Sequence, residues 1–397
     1  MFLCKCSKLY LYFVLFCGAF IAGMSISSIF PVMEDISSFL KISANYTQMS
    51  FPVFLFSFAF AQLFYGYISD RFGRRIPYLL GCIFFIIGSL LCYNSNDIFD
   101  LLIGRFIQGA GIGCTMTLAV AIFYDIHVQS FIKVYTGLLV MILLGSISSP
   151  VIMSFVSLHW MWQYTFLGFA ALGAVLFVLA LIFVPETHSS LREKRLEKTF
   201  FIKSHLKVLT SRSFIGYLLI SCLLFSMPLI VFCTMPVLLV NTFNLSMFSY
   251  TWLSMLNIGF YLFGLYLGYL IADGISYNKI IFLSTMMITF GAILGITLST
   301  LTTSQIEIIY LPTCVILLGA GLGLPSSLTV YTSKLIECPG TCASIQLFSL
   351  AFIASCINFL NAILHENDQV PLMAIFLIVA LATLFILWLL HPKKINI

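Results

Sequence analysis

Long apolar runs dominate this chain and leave it few ways to fold. There are twelve of them, at residues 9–30, 46–68, 76–93, 98–123, 134–156, 161–184, 214–240, 250–272, 280–301, 306–330, 342–364 and 370–390. A helix of about 20 mostly apolar residues crosses the hydrocarbon layer of a bilayer. A barrel strand would instead be an alternating segment of about 10 residues. The runs therefore predict an all-α integral membrane protein with 12 transmembrane helices.

The composition excludes a water-soluble globule. Of the 397 residues, 61% are hydrophobic and 8% are charged, and the mean hydropathy is +1.09. That is too little polar surface to cover a protein of this size in water. The first run follows Lys5 and Lys8, as in a secretory signal, but its length and the lack of an A-x-A cleavage pattern favour a retained helix.

The 12 cysteines do not indicate a metal or redox site. Most lie inside the apolar runs, where a thiol behaves as a small hydrophobe, and no C-x-x-C pair occurs. The sequence also has no G-x-x-x-x-G-K-[ST] loop, so ATP is not expected to drive the protein directly. We therefore expect neither a metal nor a cofactor.

The basic residues are unevenly distributed between the polar segments. With the amino terminus in the cytoplasm and one crossing per run, 17 of the 19 Lys and Arg fall in cytoplasmic segments. Lys41 lies outside, and Arg105 lies within the fourth run. This asymmetry follows the positive-inside rule. Both termini are therefore predicted to be cytoplasmic.

The longest polar stretch divides the chain almost in half. Residues 188–213 hold seven basic residues with leucines and phenylalanines between them. Beside a membrane helix, this pattern favours an amphipathic helix on the anionic inner leaflet over a nucleic-acid patch. The predicted organisation is an N-terminal six-helix bundle at 1–187, a cytoplasmic basic linker at 188–213 and a C-terminal six-helix bundle at 214–397.

The two halves carry a related glycine pattern. "GAGIG" begins at Gly109 in run four, and "GAGLG" begins at Gly319 in run ten, 210 positions later. Asp70 has a looser counterpart in Asp273, 203 positions later. The two offsets predict parallel six-helix pseudo-repeats with a substrate site between them, which is the arrangement of an alternating-access transporter.

Several motifs resemble signatures of the major facilitator superfamily. "GYISDRFGRR" is similar to the superfamily's loop between helices two and three, and "LIGRFIQGAGIG" is similar to its helix-four signature. "TQMSFPVFLFSFAFAQLFYG", "SLHWMWQYTF" and "VPET" most resemble the bicyclomycin-resistance branch of drug:proton antiporters. The resemblance spans the full length and implies the major facilitator fold.

The resemblance also implies that the loop after the second run is a cytoplasmic gating latch. Asp70 would cap the start of run eleven near residues 339–341, where free N–H groups favour an anion. Arg74 would pair with Asp125, and both contacts would favour the outward-open state. In the alternative, the arginines only follow the positive-inside rule. The predicted latch residues are Gly66, Asp70, Arg71, Gly73, Arg74, Arg75 and Asp125, with the two glycines allowing close helix approach and a tight turn.

Arg105 is the charge placed deepest in a predicted membrane segment. Burying an arginine near the bilayer centre costs at least about 2.5–3.5 kcal/mol unless it faces a wet cavity or a partner. On a helix, Arg105 shares one face with Gln108, Gly109, Ile112 and Met116, and this stripe is predicted to line the cavity. The alternative is a structural arginine that holds backbone carbonyls and does not touch the substrate.

Two acids near the first run are candidates for proton coupling. A proton-coupled exporter needs an acid whose pKa is raised by desolvation, so that it can bind and release a proton. The branch that the chain resembles usually has an aspartate four residues before a proline in helix one, and here Ser27 stands at that distance from Pro31. Glu34 and Asp35, just beyond the proline, are the candidates, unless they are ordinary outer-loop acids.

The second half offers neutral polar residues within its apolar runs. They are Asn257, Tyr261, Asn358 and Asn361, and the first three are predicted to contact substrate. Pro228 and Pro236 are expected to bend run seven. The 40 Phe and 18 Tyr suit an amphipathic cargo, although most of these rings must face lipid.

These observations favour a secondary active transporter of the bacterial inner membrane that exports small amphipathic compounds, such as drugs or a siderophore-like metabolite, in exchange for protons. We expect a monomer in the lipid bilayer, with the proton gradient as driving force and no nucleic-acid partner. An uptake symporter is the alternative, because Ser27 replaces the acid and Met153 and Ser154 replace the glycines usual in helix five of these antiporters. A membrane enzyme is disfavoured, since the six histidines are scattered and neither H-E-x-x-H nor G-x-S-x-G is present.

Overall fold

A computed structural model describes residues 5–126, 131–187, 212–241, 247–271, 274–301, 306–333, 339–364 and 369–390. These residues form fourteen α-helices and one 3-10 turn, with no strand among them. By length and composition, twelve helical spans within them can cross a membrane. The predicted all-α fold with 12 transmembrane helices is therefore confirmed.

The first compact unit contains Met1–Leu196. Its helices are α1 (Lys5–Ser27), α2 (Met33–Leu40), α3 (Ala44–Gln48), α4 (Ser50–Phe72), α5 (Arg75–Tyr93), α6 (Ile98–Ile126), α7 (Phe131–His159) and α8 (Gln163–Phe183), with the 3-10 turn Phe30–Val32 between α1 and α2. Helix α6 packs against both α4 and α5, α1 packs along α7, and α5 packs against α8.

The second compact unit contains Glu197–Ile397. Its helices are α9 (Arg212–Asn241), α10 (Met247–Ile271), α11 (Tyr277–Leu301), α12 (Glu307–Ser333), α13 (Pro339–Leu364) and α14 (Gln369–Leu390). Helix α12 packs against both α10 and α11, α9 packs along α13, and α11 packs against α14. This is the pairing of the first unit repeated helix for helix, as a duplicated six-helix bundle requires.

Glycines set the register of the repeat. A Cβ at Gly111 would lie 2.3 Å from a backbone nitrogen of α5, and a Cβ at Gly319 would lie 3.0 Å from a backbone oxygen of α11. Gly113 and Gly321 in the same way face the backbones of α4 and α10. The equivalent positions are therefore 111 and 319, an offset of 319 minus 111, or 208. The motif offset of 210 found the right helices but was wrong by two positions, because its glycines face different neighbours.

The first membrane run ends differently from the prediction of a single helix over 9–30. Helix α1 stops at Ser27, and the chain passes through the 3-10 turn into α2. The hydroxyls of Ser25, Ser27 and Ser28 bond to carbonyls three or four residues earlier, which competes with the helical ladder. Pro31, in the 3-10 turn, cannot supply the N–H that a continuing α-helix needs.

Part of the predicted organisation falls on residues that the structure does not describe. The predicted linker at 188–213 lies outside the described residues except for Arg212 and Ser213, which already belong to α9. Asp273, the proposed counterpart of Asp70, also lies outside them.

Helix α9 was expected to bend at Pro228 and Pro236. In the structure it is one continuous α-helix that includes both residues.

Candidate functional site

The turn between α4 and α5 is built around Gly73. Its φ is +89°, a left-handed value that is unfavourable for any residue that has a Cβ. Its N–H donates to the carbonyl of Ser69 at 3.0 Å, which closes the end of α4. A Cβ at this position would also lie 2.3 Å from a carboxylate oxygen of Glu186. Both the backbone angle and the space require glycine, in agreement with the predicted tight turn.

Glu186 caps the start of α5. Its carboxylate accepts hydrogen bonds from the backbone N–H of Arg74 at 2.8 Å and from that of Arg75 at 3.3 Å. The first N–H groups of a helix have no partner within the helix and favour an anion. The sequence analysis used "VPET" only as a branch signature and missed this role. The sequence feature that could have indicated this role is the acidic side chain of Glu186 just after a membrane run.

Arg74 forms the ion pair that the sequence predicted. Its Nε lies 3.1 Å from Oδ2 of Asp125, near the end of α6. The hydroxyl of Thr187 donates to the same carboxylate oxygen at 3.2 Å. The Arg74 side chain also donates to the hydroxyl of Ser69. Since Arg74 is only 7% exposed, salt screens this pair less than a surface pair.

The resulting charged network joins three places in the first unit: the α4–α5 turn, the end of α6 and the segment after α8. Arg75 adds a bond from its guanidinium to the carbonyl of Leu181 at 2.7 Å. The gating role of this network stays a prediction. The side chains of Asp70, of Arg71 and of residues 339–341 lie outside the described part, so the predicted cap by Asp70 does too.

Gly66 does not make the close helix approach that was predicted for it. No described heavy atom lies within 4 Å of the position that its Cβ would occupy. Its carbonyl accepts a hydrogen bond from the hydroxyl of Ser69 at 2.8 Å. Among the described residues, the close helix approach predicted at this glycine is therefore not seen, and its part in the latch stays a prediction.

Arg105 is fully buried inside the first unit. One terminal nitrogen donates to Oε1 of Gln108 at 2.6 Å, and both terminal nitrogens reach the carbonyl of Ser25 at 3.3 and 3.4 Å. The guanidinium carbon lies 4.1 Å from the ring centroid of Phe54. Among the described residues, its Nε has no hydrogen-bond partner.

These contacts tie α6 to four other helices of the same unit. Ser25 lies on α1, Phe54 on α4 and Phe166, at 6.0 Å from the guanidinium, on α8. Gln108 in turn donates to the hydroxyl of Ser89 on α5 at 2.8 Å. This geometry favours the structural alternative for Arg105, since the guanidinium is enclosed by helices of its own unit.

The rest of the Arg105 stripe is also packed. A Cβ at Gly109 would lie 2.3 Å from the carbonyl oxygen of Phe54, so α4 and α6 are in backbone contact there. Ile112 and Met116 are buried. A direct role of this stripe in substrate binding stays a prediction, and the contacts around it are those of helix packing.

The candidate acids lie in the first turn of α2 and are half-buried. Ser157 on α7 donates its hydroxyl to Oδ2 of Asp35. Ser27, which stands where the related antiporters have an acid, bonds to the carbonyls of Gly23 and Ser146. Within the described part of the chain, the buried charged side chains are those of Arg74 and Arg105, and no carboxylate is among them.

The polar candidates of the second unit have separate partners. Asn257 on α10 accepts a weak bond from the thiol of Cys314 at 3.5 Å, and Tyr261 packs in the apolar core. Asn358 on α13 donates to the carbonyl of Ala354 at 2.9 Å. Its Oδ1 is buried without a hydrogen-bond partner among the described residues. Asn358 is therefore the predicted residue with an unused acceptor, while the other two are already engaged in packing.

Comparison with known sequences gives a family and several relatives. The family model of the Major Facilitator Superfamily matches residues 15–357. The multidrug resistance protein MdtL of Citrobacter koseri is 31% identical over 210 residues, which cover 53% of each chain. MdtL of Shewanella oneidensis is 32% identical over 164 residues, or 40% of each chain. The chain thus spans about half the length of the curated relatives it matches.

Comparison with solved structures supports the fold. The chain superposes on a D-xylose–proton symporter with a TM-score of 0.78 and 15% identity, over 96% of this chain and 97% of that one. A POT family transporter in complex with 5-aminolevulinic acid gives a TM-score of 0.74 at 17% identity, over 96% of this chain and 94% of that one. At these identities, the likeness concerns the arrangement of helices alone.

Proposed function

The chain belongs to the major facilitator superfamily, and we propose that it exports small amphipathic compounds in exchange for protons by alternating access. The observation that carries this proposal is the similarity to several proteins named multidrug resistance protein, at about 31% identity over half of their length. Drugs are the first substrate class to test, and an endogenous metabolite such as a siderophore is the second.

The fold supports a transport mechanism. Two units with the same helix pairing are what a rocking-bundle transporter uses to expose one site to each side of the membrane in turn. The solved structures on which the chain superposes are those of a symporter and a transporter. We therefore infer a transporter rather than an enzyme, with the proton gradient in place of a cofactor.

Two parts of the first unit are proposed to serve this mechanism. Glu34 and Asp35 are half-buried carboxylates next to a membrane helix and are our candidates for carrying the proton. The network of Arg74, Asp125 and Glu186 is our candidate for a gating latch, because ion pairs that form in only one conformation favour that conformation.

The membrane placement follows from the charge distribution. We propose that the protein lies in the bacterial inner membrane as a monomer, with both termini in the cytoplasm, because the basic residues then face the cytoplasm. Reporter fusions at the two ends and after α1, α4 and α5 would test the topology. Opposite sidedness of the two ends would overturn it.

Growth of an efflux-deficient bacterial host on a panel of antibiotics, dyes and siderophores tests the function. Expression of the wild type should raise the tolerated concentration of at least one compound, and an uncoupler should abolish the matching efflux. Arg105→Ala should lose this protection, and Asp70→Asn tests the latch in the same assay. Unchanged tolerance across the panel would contradict the proposal.

A second candidate is uptake by proton symport. The observation that favours it is Ser27, a packed hydroxyl at the position of the acid expected in an exporter. Energy-dependent accumulation of a panel compound inside the cells, abolished by an uncoupler, would support uptake and count against export.

A further inference from the structure

A small cavity lies at the end of the first unit opposite the charged network. Its walls come from the end of α5, the turn that follows it and the start of α8. Helices α5 and α8 pack against each other, and the charged network joins their other ends through Arg75 and Glu186. Each of the two helices is long and apolar enough to cross a membrane. The cavity therefore lies at the opposite membrane surface, which is the outer one in the proposed topology.

The turn after α5 supplies hydrogen-bond acceptors to this cavity. The side-chain nitrogen of Asn94 donates to the carbonyl of Leu90 at 2.9 Å, and that of Asn96 donates to the carbonyl of Asn94 at 3.3 Å. Both amide nitrogens are thus engaged by the backbone. The side-chain oxygens of these two exposed asparagines are the acceptors that remain on this wall.

Gln163, at the start of α8, adds a third acceptor on the other wall. Its Oε1 is buried and has no hydrogen-bond partner among the described residues. A buried acceptor without a donor is unfavourable. Because the Gln163 side chain lines the cavity, a donor placed there could satisfy this oxygen after a rotation of the side chain alone.

Two tyrosine rings also line the cavity. Tyr93, on α5, and Tyr164, on α8, meet edge to face with their centroids 5.9 Å apart. Tyr93 is half-buried and Tyr164 is exposed, so a ligand can reach the ring surface. The face of an aromatic ring attracts a cation and not an anion. The rings therefore favour a positively charged ligand.

The charges around the cavity favour a cation as well. None of the seven described residues that line it carries a charge, and the exposed carboxylates of Asp97 and Asp100 follow directly in the chain. The cavity lies at the C-terminal end of α5, which is the negative end of the helix dipole. At the start of α8, where the dipole is positive, two N–H groups already donate to carbonyls of the preceding turn at 3.0 and 3.1 Å.

We propose that this cavity binds a primary ammonium group, which donates hydrogen bonds to the amide oxygens of Asn94, Asn96 and Gln163 and places its charge against the two tyrosine rings. The cavity volume of about 270 Å³ is below the roughly 300–1,000 Å³ of pockets for drug-sized ligands, so it fits a small headgroup. The site goes beyond the proposed export function and does not depend on it.

Two sources can supply such an ammonium group at this place. One is a phospholipid with an ethanolamine headgroup, whose chains would cover the exposed apolar side chains of Phe99 and Met161 beside the cavity. The other is a small amine dissolved in water. The chemistry of recognition is the same for both, and the experiment distinguishes them.

Lipid binding to the purified full chain tests the proposal. The protein is freed of lipid in detergent and titrated with phosphatidylethanolamine, phosphatidylcholine or phosphatidylglycerol of the same chain length, and the bound lipid is counted by native mass spectrometry. The ethanolamine lipid should bind most tightly, because a trimethylated ammonium has no N–H to donate and the glycerol headgroup has no cation. Equal or tighter binding of phosphatidylglycerol would overturn the proposal.

Substitutions at Gln163 test the sign of the site. Gln163→Glu should bind phosphatidylethanolamine about threefold more tightly and Gln163→Lys about threefold more weakly, as expected for one charge at a partly exposed site. A gain in affinity cannot result from poor folding. Thr300→Lys places the same positive charge at the exposed end of α11, the counterpart of α5, and should leave binding unchanged.

Two results with these variants would contradict the assignment of the cavity. One is an equal weakening by Gln163→Lys and Thr300→Lys, and the other is a Gln163→Glu variant that binds no more tightly than the wild type. The assay involves no transport. A failure of the proposed export function in the growth screen would therefore leave it intact, and the converse also holds.

Displacement of the bound lipid identifies the source. Ethanolamine is added to the complex with phosphatidylethanolamine, and ethylene glycol, its neutral isostere, is added in parallel. Release by ethanolamine alone supports a site that also takes soluble amines, and retention of the lipid against both supports the phospholipid as the ligand. Equal release by ethylene glycol would overturn recognition of the ammonium group.

Discussion

The two units of this protein share one helix pairing but differ in the chemistry of their interiors. The described part of the first unit holds the Arg74–Asp125 ion pair and the buried Arg105. The buried polar side chains described in the second unit are all neutral, such as those of Asn257 and Asn358. Among the described residues, the buried charges therefore lie in the first unit, where Arg105 ties helices together and Arg74 joins their ends.

Arg105 illustrates the difference at one position. With the offset of 208 set by the glycines, its counterpart in the second unit is Thr313, at 105 plus 208. Thr313 is also fully buried, and its hydroxyl bonds to the carbonyl of Tyr310 in its own helix at 2.8 Å. Arg105 connects five helices of the first unit. At the equivalent position of the second unit, the hydroxyl of Thr313 bonds only within its own helix.

The largest effect should come from removing this asymmetry. Arg105→Ala leaves Gln108 and the carbonyl of Ser25 without their charged donor and should cost about 3 kcal/mol of stability, together with loss of transport. Thr313→Ala removes one intrahelical bond and should cost under about 1 kcal/mol. Thermal unfolding in detergent compares the two, and equal losses would show that the Arg105 contacts contribute no more to stability than one intrahelical bond.

The glycines that set the register should give the next largest effect. A Cβ at Gly111 meets backbone atoms of α5 at 2.3 and 2.6 Å, which cannot move aside, so Gly111→Ala should cost about 2 kcal/mol. A Cβ at Gly319 meets atoms of α11 at 3.0 Å or more. Gly319→Ala should therefore be close to neutral, because alanine also favours the helix. A reversed order in the same unfolding assay would contradict the close approach of α5 and α6 at Gly111.

A smaller effect is expected where α5 and α11 begin. Glu186 caps α5 with a charge, whereas Asn278 near the start of α11 accepts a neutral bond from the hydroxyl of Tyr217. Glu186→Gln should cost about 1 kcal/mol at low salt and less at high salt, because salt screens a charge at a helix terminus. The effect of Asn278→Ala on stability should not depend on salt. Unfolding measured at two salt concentrations distinguishes the two sites.

The smallest effect should come from α9 and α13, the helix pair of the second unit that corresponds to α1 and α7. In the second unit, Asn361 on α13 donates to the hydroxyl of Thr234 on α9 at 2.7 Å. This is one neutral side-chain bond, so Asn361→Ala should cost about 1 kcal/mol or less. It should leave the pH dependence of transport unchanged, since neither group titrates. A shifted pH profile of efflux in this variant would break the assignment of proton chemistry to the first unit.

The sequence was sufficient for the fold and for part of the site. Run length and hydropathy predicted the twelve spans, because a helix in lipid must satisfy its own backbone. The spacing in "GYISDRFGRR", read through the family, predicted the Arg74–Asp125 pair and the turn at Gly73. These features depend on local pattern or on a family motif.

Tertiary contacts account for what the sequence did not predict. Glu186 is 112 positions from the N–H that it caps, and no periodicity connects the two. The burial of Arg105 among helices of its own unit was one of two open alternatives, because a helical face alone does not say what covers it. The repeat offset was wrong by two positions because alternate glycines face different helices.

Transport by the purified protein in proteoliposomes tests the central claim most directly. A compound that the growth screen identifies is added outside the vesicles, and a pH gradient imposed across their membrane is the driving force. We predict accumulation of the compound against its own gradient, with protons moving in the opposite direction, and collapse of both fluxes on addition of an uncoupler. Accumulation that needs no pH gradient, or protons that move in the same direction as the compound, would contradict proton-driven export.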